Sequence, residues 1–175
     1  MARRRAQGIL LNPRQSVAIF GLWDQPRHVL EWTDITARNL TWRSLRDAMQ
    51  LDPETLRRLQ PDPIEWVSRA SITLQDLPDM ACFPVNPFVH LRADLAEVWS
   101  MRWSADTLKQ LGVTFEQLRS KGMNGQVMQH FNFTLGQWLS LGMTNAHVRS
   151  MDDECVRRCF EISKDEALEV VTSNF

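Results

Sequence analysis

The stretch VTFEQLRSKG MNGQVMQHFN FTLGQWLSLG, residues 113–142, consists of three consecutive ten-residue units with one shared pattern. The same register continues without gaps in both directions, so six units run from Ala93 to Asp152. In every unit the first and sixth positions are hydrophobic, and the second position is Asp, Ser, Thr or Asn. The tenth position is Gly or Asn in four units, at Gly112, Gly122, Asn132 and Gly142.

Each position of the unit has a role at the end of a short helix. Side chains of the second position accept hydrogen bonds from the first free helical amides, as N-caps do. The first and sixth positions then form a hydrophobic staple, and Glu97, Gln117 and Gln137 complete capping boxes. Gly or Asn at the tenth position stops the helix in the left-handed conformation. The sequence therefore predicts six helices of about two turns, which start at Asp94, Ser104, Thr114, Asn124, Thr134 and Thr144.

A looser version of the pattern precedes this array. A capping residue is followed four residues later by a hydrophobic one in four places, with Leu45, Leu56, Trp66 and Leu77 as the hydrophobic members. Pro53 and Pro63 directly follow the second and third capping residues, Asp52 and Asp62. Proline is favoured at this first helical position because its missing N–H has no intrahelical partner there.

These patterns predict the fold class and the segments of the chain. We expect an all-α fold, a short-helix repeat array that is solenoid-like, with an extended N-terminal arm. Pro84 and Pro87 forbid a continuous helix between the two halves, which predicts an extended linker there. The predicted segments are a basic arm or tether at 1–39, degenerate helical repeats at 40–79, a Pro-containing linker at 80–92, six ten-residue repeats at 93–152 and a C-terminal capping helix at 153–175.

Composition narrows the classes of function. The formal net charge of -1 disfavours a dedicated polyanion binder, whose affinity rests on excess cations. No apolar run approaches the length of a membrane span, and Asn12 and Pro13 interrupt the apolar start of the chain, so we expect no secretory signal. The three cysteines form no disulfide framework, which favours an intracellular reducing compartment or a virus particle over secretion.

The residues that carry chemistry form no recognisable catalytic or metal-binding motif. None of the histidines His28, His90, His130 and His147 has an H-x-x-x-H or H-E-x-x-H partner. The chain contains no phosphate-binding glycine loop and no G-x-S-x-G elbow. Cys155 and Cys159 would share a helix face, and we expect them to be two small buried hydrophobes. The sequence therefore predicts no enzyme, no cofactor and no metal site.

The units VTFEQLRSKG and FTLGQWLSLG resemble the ten-residue short-helix repeats, with the pattern φ-T/S-x-x-x-L-x-x-x-G, of proteins from large DNA viruses, algae and bacteria. The resemblance covers residues 93–152 and, more weakly, 40–79. The units that begin at Met123 and Met143 depart from the pattern because they lack Leu at the sixth position. The resemblance implies a scaffold or interaction role without catalytic residues, and a minor virus-particle (capsid) component as one specific case.

The expected function is that of a non-enzymatic structural or adaptor protein, which contacts other protein subunits in a larger assembly. The arm supplies the candidate contact residues, because its arginines can reach carboxylates while its apolar side chains fill a pocket. These partner-binding candidates are Arg3, Arg4, Arg5, Ile19, Phe20 and Trp23. Charge is also segregated, with eight Arg against three acids in residues 1–46 and seven acids against three bases in residues 151–175. Complementary ends of this kind favour contacts between copies or with charged partners.

An alternative function is nucleic-acid binding. The stretch FTLGQWLSLGMTNAHVRSM, residues 133–151, resembles a helix-turn-helix, in which Asn145, His147 and Arg149 lie on the second helix. The basic arm could also contact phosphates independently of sequence. The ten-residue repeat accounts for the same helix-glycine-helix pattern without any nucleic acid, so protein contacts remain the favoured interpretation.

Overall fold

The computed structural model describes residues 8–21, 29–48, 50–60, 62–80 and 85–173. Within these ranges the protein is almost entirely helical, with one pair of two-residue strands, which confirms the all-α prediction. The chain divides into two compact units, Met1–Val85 and Asn86–Phe175.

In its described residues, the first unit contains strands β1 (Ile9–Leu10) and β2 (Val29–Leu30) and four α-helices. The strands pair antiparallel, with Ile9 opposite Leu30 and Leu10 opposite Val29. The helices are α1 (Pro13–Phe20), α2 (Trp32–Ala37), α3 (Pro53–Leu59) and α4 (Pro63–Arg69), joined by a π-helical turn at Ser44–Ala48 and a 3₁₀ helix at Leu74–Met80.

The predicted extended arm is wrong for the residues that the structure describes. Asn12 caps α1 and forms a capping box with Gln15, and Gly21 ends the helix with φ +69°. Leu11 and Ile19 are buried, as are Leu30 and Ile35 in the following elements. Because these side chains are covered within the unit, residues 8–21 and 29–39 belong to the core rather than to a free tether.

The degenerate repeats of residues 40–79 have the predicted core. Asp52 and Asp62 accept hydrogen bonds at the starts of α3 and α4, each with proline at the next position. The hydrophobic residues four positions after the caps are fully buried, namely Leu45, Leu56, Trp66 and Leu77. The outer two of these four repeats form the π-helical turn and the 3₁₀ helix, and Pro78 lies inside the latter.

The second unit contains helices α5 to α13. The first is α5 (Pro87–His90), and the six repeats form the next six helices. Each of these six is preceded by its predicted N-cap residue, which confirms all six predicted starts. Their bounds are α6 (Leu95–Ser100), α7 (Ala105–Gln110), α8 (Phe115–Ser120), α9 (Gly125–Phe131), α10 (Leu135–Ser140) and α11 (Asn145–Ser150).

The predicted stop residues adopt the left-handed conformation. Gly112, Gly122 and Gly142 have φ values of +69°, +95° and +95°, and Asn132 has φ +53°. Arg102, the tenth residue of the first repeat, takes φ +52° despite its side chain. A helix therefore ends after each of the first five repeats, and successive helices do not merge into one.

Helices three apart in sequence pack together in the second unit. Helix α7 packs on α10, and α9 packs on α12. Side chains join α6 to the end of α9 and α8 to α11 in the same three-helix step. One turn of the array therefore comprises about thirty residues. The sixth-position side chains fill its core, since all of them are buried: Val98, Leu108, Leu118, Met128, Trp138 and Val148.

The predicted linker at 80–92 is wrong as an extended segment where it is described. Met80 ends the 3₁₀ helix and Pro87–His90 form α5. Asn86 is only 7% exposed, and its carboxamide oxygen caps α5 by accepting from the amides of Phe88 and Val89. Its amide nitrogen donates to the Gly112 carbonyl oxygen at 2.8 Å. The prolines do prevent a long helix, but Pro87 starts a short one because it occupies the first helical position.

The single predicted C-terminal helix is two helices, α12 (Asp153–Phe160) and α13 (Lys164–Ser173). Glu161 interrupts them with φ +60°. A new cap follows, in which the Ser163 amide donates to Glu166 at 2.8 Å and the Ser163 side chain accepts from the Glu166 amide at 3.3 Å. Helix α12 packs on α9 and α13 packs on α11, so these helices cover the end of the repeat array.

Candidate functional site

The six residues that the sequence assigned to a partner-binding surface do not form one such surface in the described structure. Arg3, Arg4, Arg5 and Trp23 lie outside the described residues, so their prediction remains untested. Ile19 is only 7% exposed, and its side chain belongs to the core of its own unit. The prediction that Ile19 fills a pocket of a partner is therefore wrong.

Phe20 is half-buried at the end of α1. The Arg38 guanidinium lies 4.5 Å from the centre of the Phe20 ring and donates to the carbonyl oxygen of Ile19 at 3.3 Å. A cation over an aromatic face is an attractive contact within the chain itself. Arg38 therefore covers part of the surface that the sequence assigned to a partner.

Exposed apolar side chains mark other surfaces of the first unit. Leu10 is 61% exposed and Val29 is 43% exposed, and these residues are direct partners across the β1–β2 pair. Directly opposite residues project from the same face of a strand pair, so the two side chains form one apolar patch. Ile64, at the start of α4, is also largely exposed.

In the second unit, Trp99 combines exposure with a fixed orientation. The indole is 44% exposed, although its Nε1 donates to the carbonyl oxygen of His130 at 3.1 Å. The rings of Trp99 and His130 lie 5.6 Å apart between centroids. Aromatic side chains that are held in place in the free protein are typical anchors of protein interfaces. Trp99 is therefore the candidate contact residue of this unit, and its position in the seventh column of the repeat gave no signal for it.

Glu116, Thr144 and His147 form a polar link between α8 and α11. His147 Nε2 lies 2.5 Å from the carboxylate of Glu116, while Nδ1 accepts the backbone amide of Thr144 at 2.9 Å. Because Nδ1 accepts a hydrogen bond, the neutral ring carries its proton on Nε2 and donates it to Glu116. The ring also packs on Phe115, with 4.7 Å between centroids. This arrangement is a capping box extended to a neighbouring helix, which fixes the two helices together.

A groove of about 280 Å³ lies beside this link and is lined by several sulfur-containing side chains. The sulfur-containing lining residues are Met123, Met128, Met151 and Cys155, which come from α9, α12 and the segments that precede them. Arg119 is the cationic residue of the lining. We call this region the sulfur groove.

Cys155 and Cys159 lie on the face of α12 that packs against Gly125 of α9. The Cys159 Sγ is 3.4 Å from the Gly125 carbonyl oxygen. A Cβ atom built on Gly125 would lie 2.0 Å from the Cys155 Sγ, so the thiol occupies the space of a missing side chain. Both cysteines are free and only half-buried, which corrects the expectation of two buried hydrophobes.

The thiol of Cys159 has a perturbed pKa. Burial is the largest cause that raises the pKa of Cys159 to about 12, and the neighbouring Cys155 contributes to the same rise. Arg158 acts in the opposite direction. Cys159 is therefore a protonated thiol at neutral pH, unless a cation replaces the proton.

A buried carboxylate organises the first unit. Asp76 is 2% exposed and accepts hydrogen bonds from the Arg43 Nε at 2.9 Å and from the Thr73 hydroxyl at 2.6 Å. Burial acts to raise the pKa of Asp76, but the hydrogen bonds from Thr73 and Arg43 outweigh it and the pKa lies below its usual value. Arg46 pairs with Asp79 beside it. These ion pairs join the π-helical turn to the 3₁₀ helix, which is a structural role.

The part of the chain that the structure describes contains neither a metal-binding cluster of His, Cys, Asp and Glu side chains nor a membrane-spanning helix. No cluster of three or more His, Cys, Asp or Glu side chains is placed there to hold a metal ion. The helices of the same ranges are also too short or too polar to span a bilayer, which agrees with the expectation from the sequence.

Comparisons with known proteins give no relative. No protein-family model, no curated protein and no solved structure matches the chain. The resemblance to ten-residue short-helix repeats therefore rests on the sequence pattern alone.

Proposed function

We propose that the chain is a non-enzymatic structural or adaptor protein, whose short-helix units contact other protein subunits of a larger assembly. The observation that carries this proposal is Trp99, an aromatic side chain that is oriented by His130 and left 44% exposed. Trp is among the residues most enriched at the energetic centres of protein interfaces. An anchor that is already ordered loses little conformational entropy when a partner covers it.

The charges around the end of the second unit favour a basic surface on that partner. Residues 151–175 contain seven acids against three bases. Several acids of α12 and α13 are exposed, including Asp153 at 81% and Glu154 at 59% of the side chain. Exposed charges at the rim of an interface act mainly on the association rate and on specificity. A minor component of a virus particle is the specific assembly that the repeat resemblance suggests.

Nucleic-acid binding through the helix-turn-helix-like segment is less well supported by the contacts. The Asn145 amide donates to the Thr172 hydroxyl at 3.3 Å, and His147 is engaged with Glu116. Two of the three candidate base-reading side chains are thus bound within the chain, and α13 packs on the same helix. A recognition helix needs its polar side chains free to reach base edges in the groove. Only Arg149 of the three keeps an exposed side chain.

We also propose that the protein resides in a reducing environment. Cys155 and Cys159 are free thiols, which supports an intracellular reducing compartment or a virus particle.

The test is co-purification of the tagged full-length chain from its native source, with Trp99→Ala and Val170→Ala compared side by side. Val170 is the matched control because it is an apolar residue of the same unit with a similar exposure of 41%. We expect a stoichiometric protein partner, whose affinity falls by a factor of about 30 or more for Trp99→Ala and stays the same for Val170→Ala. Circular dichroism of both variants checks that the helices remain folded.

The proposal fails if both variants retain the partner equally. A gel mobility assay of the wild-type chain at two salt concentrations tests the alternative. Tight binding of DNA or RNA that falls steeply with salt would favour a nucleic-acid-binding protein instead.

A further inference from the structure

We propose that Cys155 and Cys159, together with the thioether of Met128, form a binding site for one soft monovalent cation of the Cu(I) class. This inference does not depend on the proposed function. It rests on the close approach of α9 and α12, where Cys155 lines the sulfur groove and Cys159, one turn further along α12, contacts Gly125 of α9.

The first step of the argument is the placement of the two thiols. They are one helical turn apart on α12, so they lie on the same face of that helix, and Cys155 is close enough to raise the pKa of Cys159. Both face the same residue of α9, since Cys159 contacts the carbonyl oxygen of Gly125 and Cys155 occupies the space beside its Cα. A side chain at position 125 would fill that space, so glycine leaves room for the Cys155 sulfur against α9.

The second step is the supply of a third ligand from the facing helix. Met128 follows Gly125 by three residues, so it lies on the same face of α9. Its side chain is 5% exposed and lines the sulfur groove together with Cys155. Met123 and Met151 line the same groove, which adds two further thioethers near the proposed site.

The third step is the match between this chemistry and the ion. Thiolate and thioether sulfur select Cu(I), while Zn²⁺ prefers four ligands that are Cys, His or carboxylate groups. Binding replaces the two thiol protons, which pass to solvent, and leaves the oxidation state of copper unchanged. The cation would lie between two sulfur atoms whose charges otherwise repel each other, with Arg158 near enough to stabilise the remaining negative charge.

The experiment uses the full chain with Cys82→Ser, so that Cys155 and Cys159 are the remaining thiols. The probe is Cu(I), supplied as its acetonitrile complex without oxygen and titrated against the chelator bathocuproine disulfonate. We expect one Cu(I) per chain and a thiolate-to-copper absorption band in the near ultraviolet. Adding Cys155→Ser or Cys159→Ser should weaken binding by more than about 100-fold and remove the band.

Matched methionine variants test the third ligand. Met128→Leu should weaken Cu(I) binding by about 10-fold. Met143→Leu should leave it unchanged, because Met143 is a fully buried methionine outside the sulfur groove. Urea unfolding of each variant confirms that the fold is retained, and the serine variants are close in size to the parent.

Three results would overturn the proposal. These are no competition with the chelator, Cu(I) binding that survives both cysteine substitutions, and binding of Zn²⁺ that is tighter than that of Cu(I). Equal affinities of Met128→Leu and Met143→Leu would overturn the part assigned to Met128.

Discussion

Gly125→Ala should destabilise the protein when Cys155 is present and stabilise it when Cys155 is also replaced by Ala. Gly125 is the first residue of α9, and its φ angle lies outside the left-handed region. Its backbone therefore accepts Ala, which has a higher helix propensity than Gly by about 0.5–1 kcal/mol. The added Cβ would lie 2.0 Å from the Cys155 Sγ, well inside any van der Waals contact. Overpacking of this kind costs about 1–3 kcal/mol. Gly125→Ala alone should therefore destabilise the protein.

Removal of the sulfur atom removes the clash. The nearest remaining atom is the Cβ of residue 155, at 3.6 Å from the new methyl group, which is an ordinary contact. In the Cys155→Ala background, Gly125→Ala should therefore stabilise the protein by about 0.5–1 kcal/mol. The gain in helix propensity is the same in both backgrounds and cancels, so the coupling between the two positions equals the cost of the clash, about 1–3 kcal/mol.

Urea unfolding of the four proteins, followed by far-ultraviolet circular dichroism, measures this double-mutant cycle. The slope with urea must stay constant so that the midpoints report stability. A stabilising effect of Gly125→Ala in the wild-type background would refute the reasoning. A coupling near zero would do the same, because it would show that Cys155 rotates away at no cost.

Four further predictions concern the core, a cap, a buried carboxylate and the start of the chain. Replacing Leu118 or Trp138 with Ala should cost about 2–5 kcal/mol in urea unfolding, because both side chains are buried. Thr134→Ala should cost only about 1 kcal/mol, through the lost hydrogen bond to the Gln137 amide, and an equal or larger loss than for the core variants would contradict the assignment. Because the pKa of Asp76 is lowered in the folded protein, this carboxylate contributes stability that is present above about pH 4 and is lost as the pH falls through its folded-state pKa. In Asp76→Asn the urea midpoint of unfolding should therefore fall less steeply as the pH is lowered in this range. Deletion of residues 2–23 should destabilise the first unit and reduce its helical signal, because the deletion removes the buried Leu11. An unchanged unfolding curve would instead support the interpretation of a free arm.

The repeat array could be predicted from the sequence because its signals are local. A cap residue, a staple and a stop residue all act within ten positions, and each repeat offers them again. Thr134 illustrates this, since its contact with Gln137 was predictable from a spacing of three. The six starts were therefore predicted without any knowledge of how the helices pack.

The segment before residue 40 was harder because its burial depends on distant partners. Asn12 and Gln15 have the spacing of a capping box, but they lie next to basic residues that suggested a tether. Ile9 and Leu10 pair with residues about twenty positions later, and two-residue strands leave almost no alternation to detect. The assignment of Ile19 to a partner failed for this reason, because sequence alone cannot tell an intramolecular from an intermolecular apolar contact.

The three-helix step explains why the thiol pair was missed as well. Cys155 and Cys159 were recognised as one helix face, but the residue that faces them, Gly125, is thirty or more positions earlier. Gly125 did carry a signal, since the third position of the other repeats holds a larger residue in every case. In a repeat array, a position that departs from its column marks a place where something else approaches the backbone. Once the packing of α12 on α9 is known, the missing side chain at Gly125 and the two sulfur atoms beside it are one feature. The methionines that line the sulfur groove with Cys155 supply the thioether sulfur on which the proposed Cu(I) site rests.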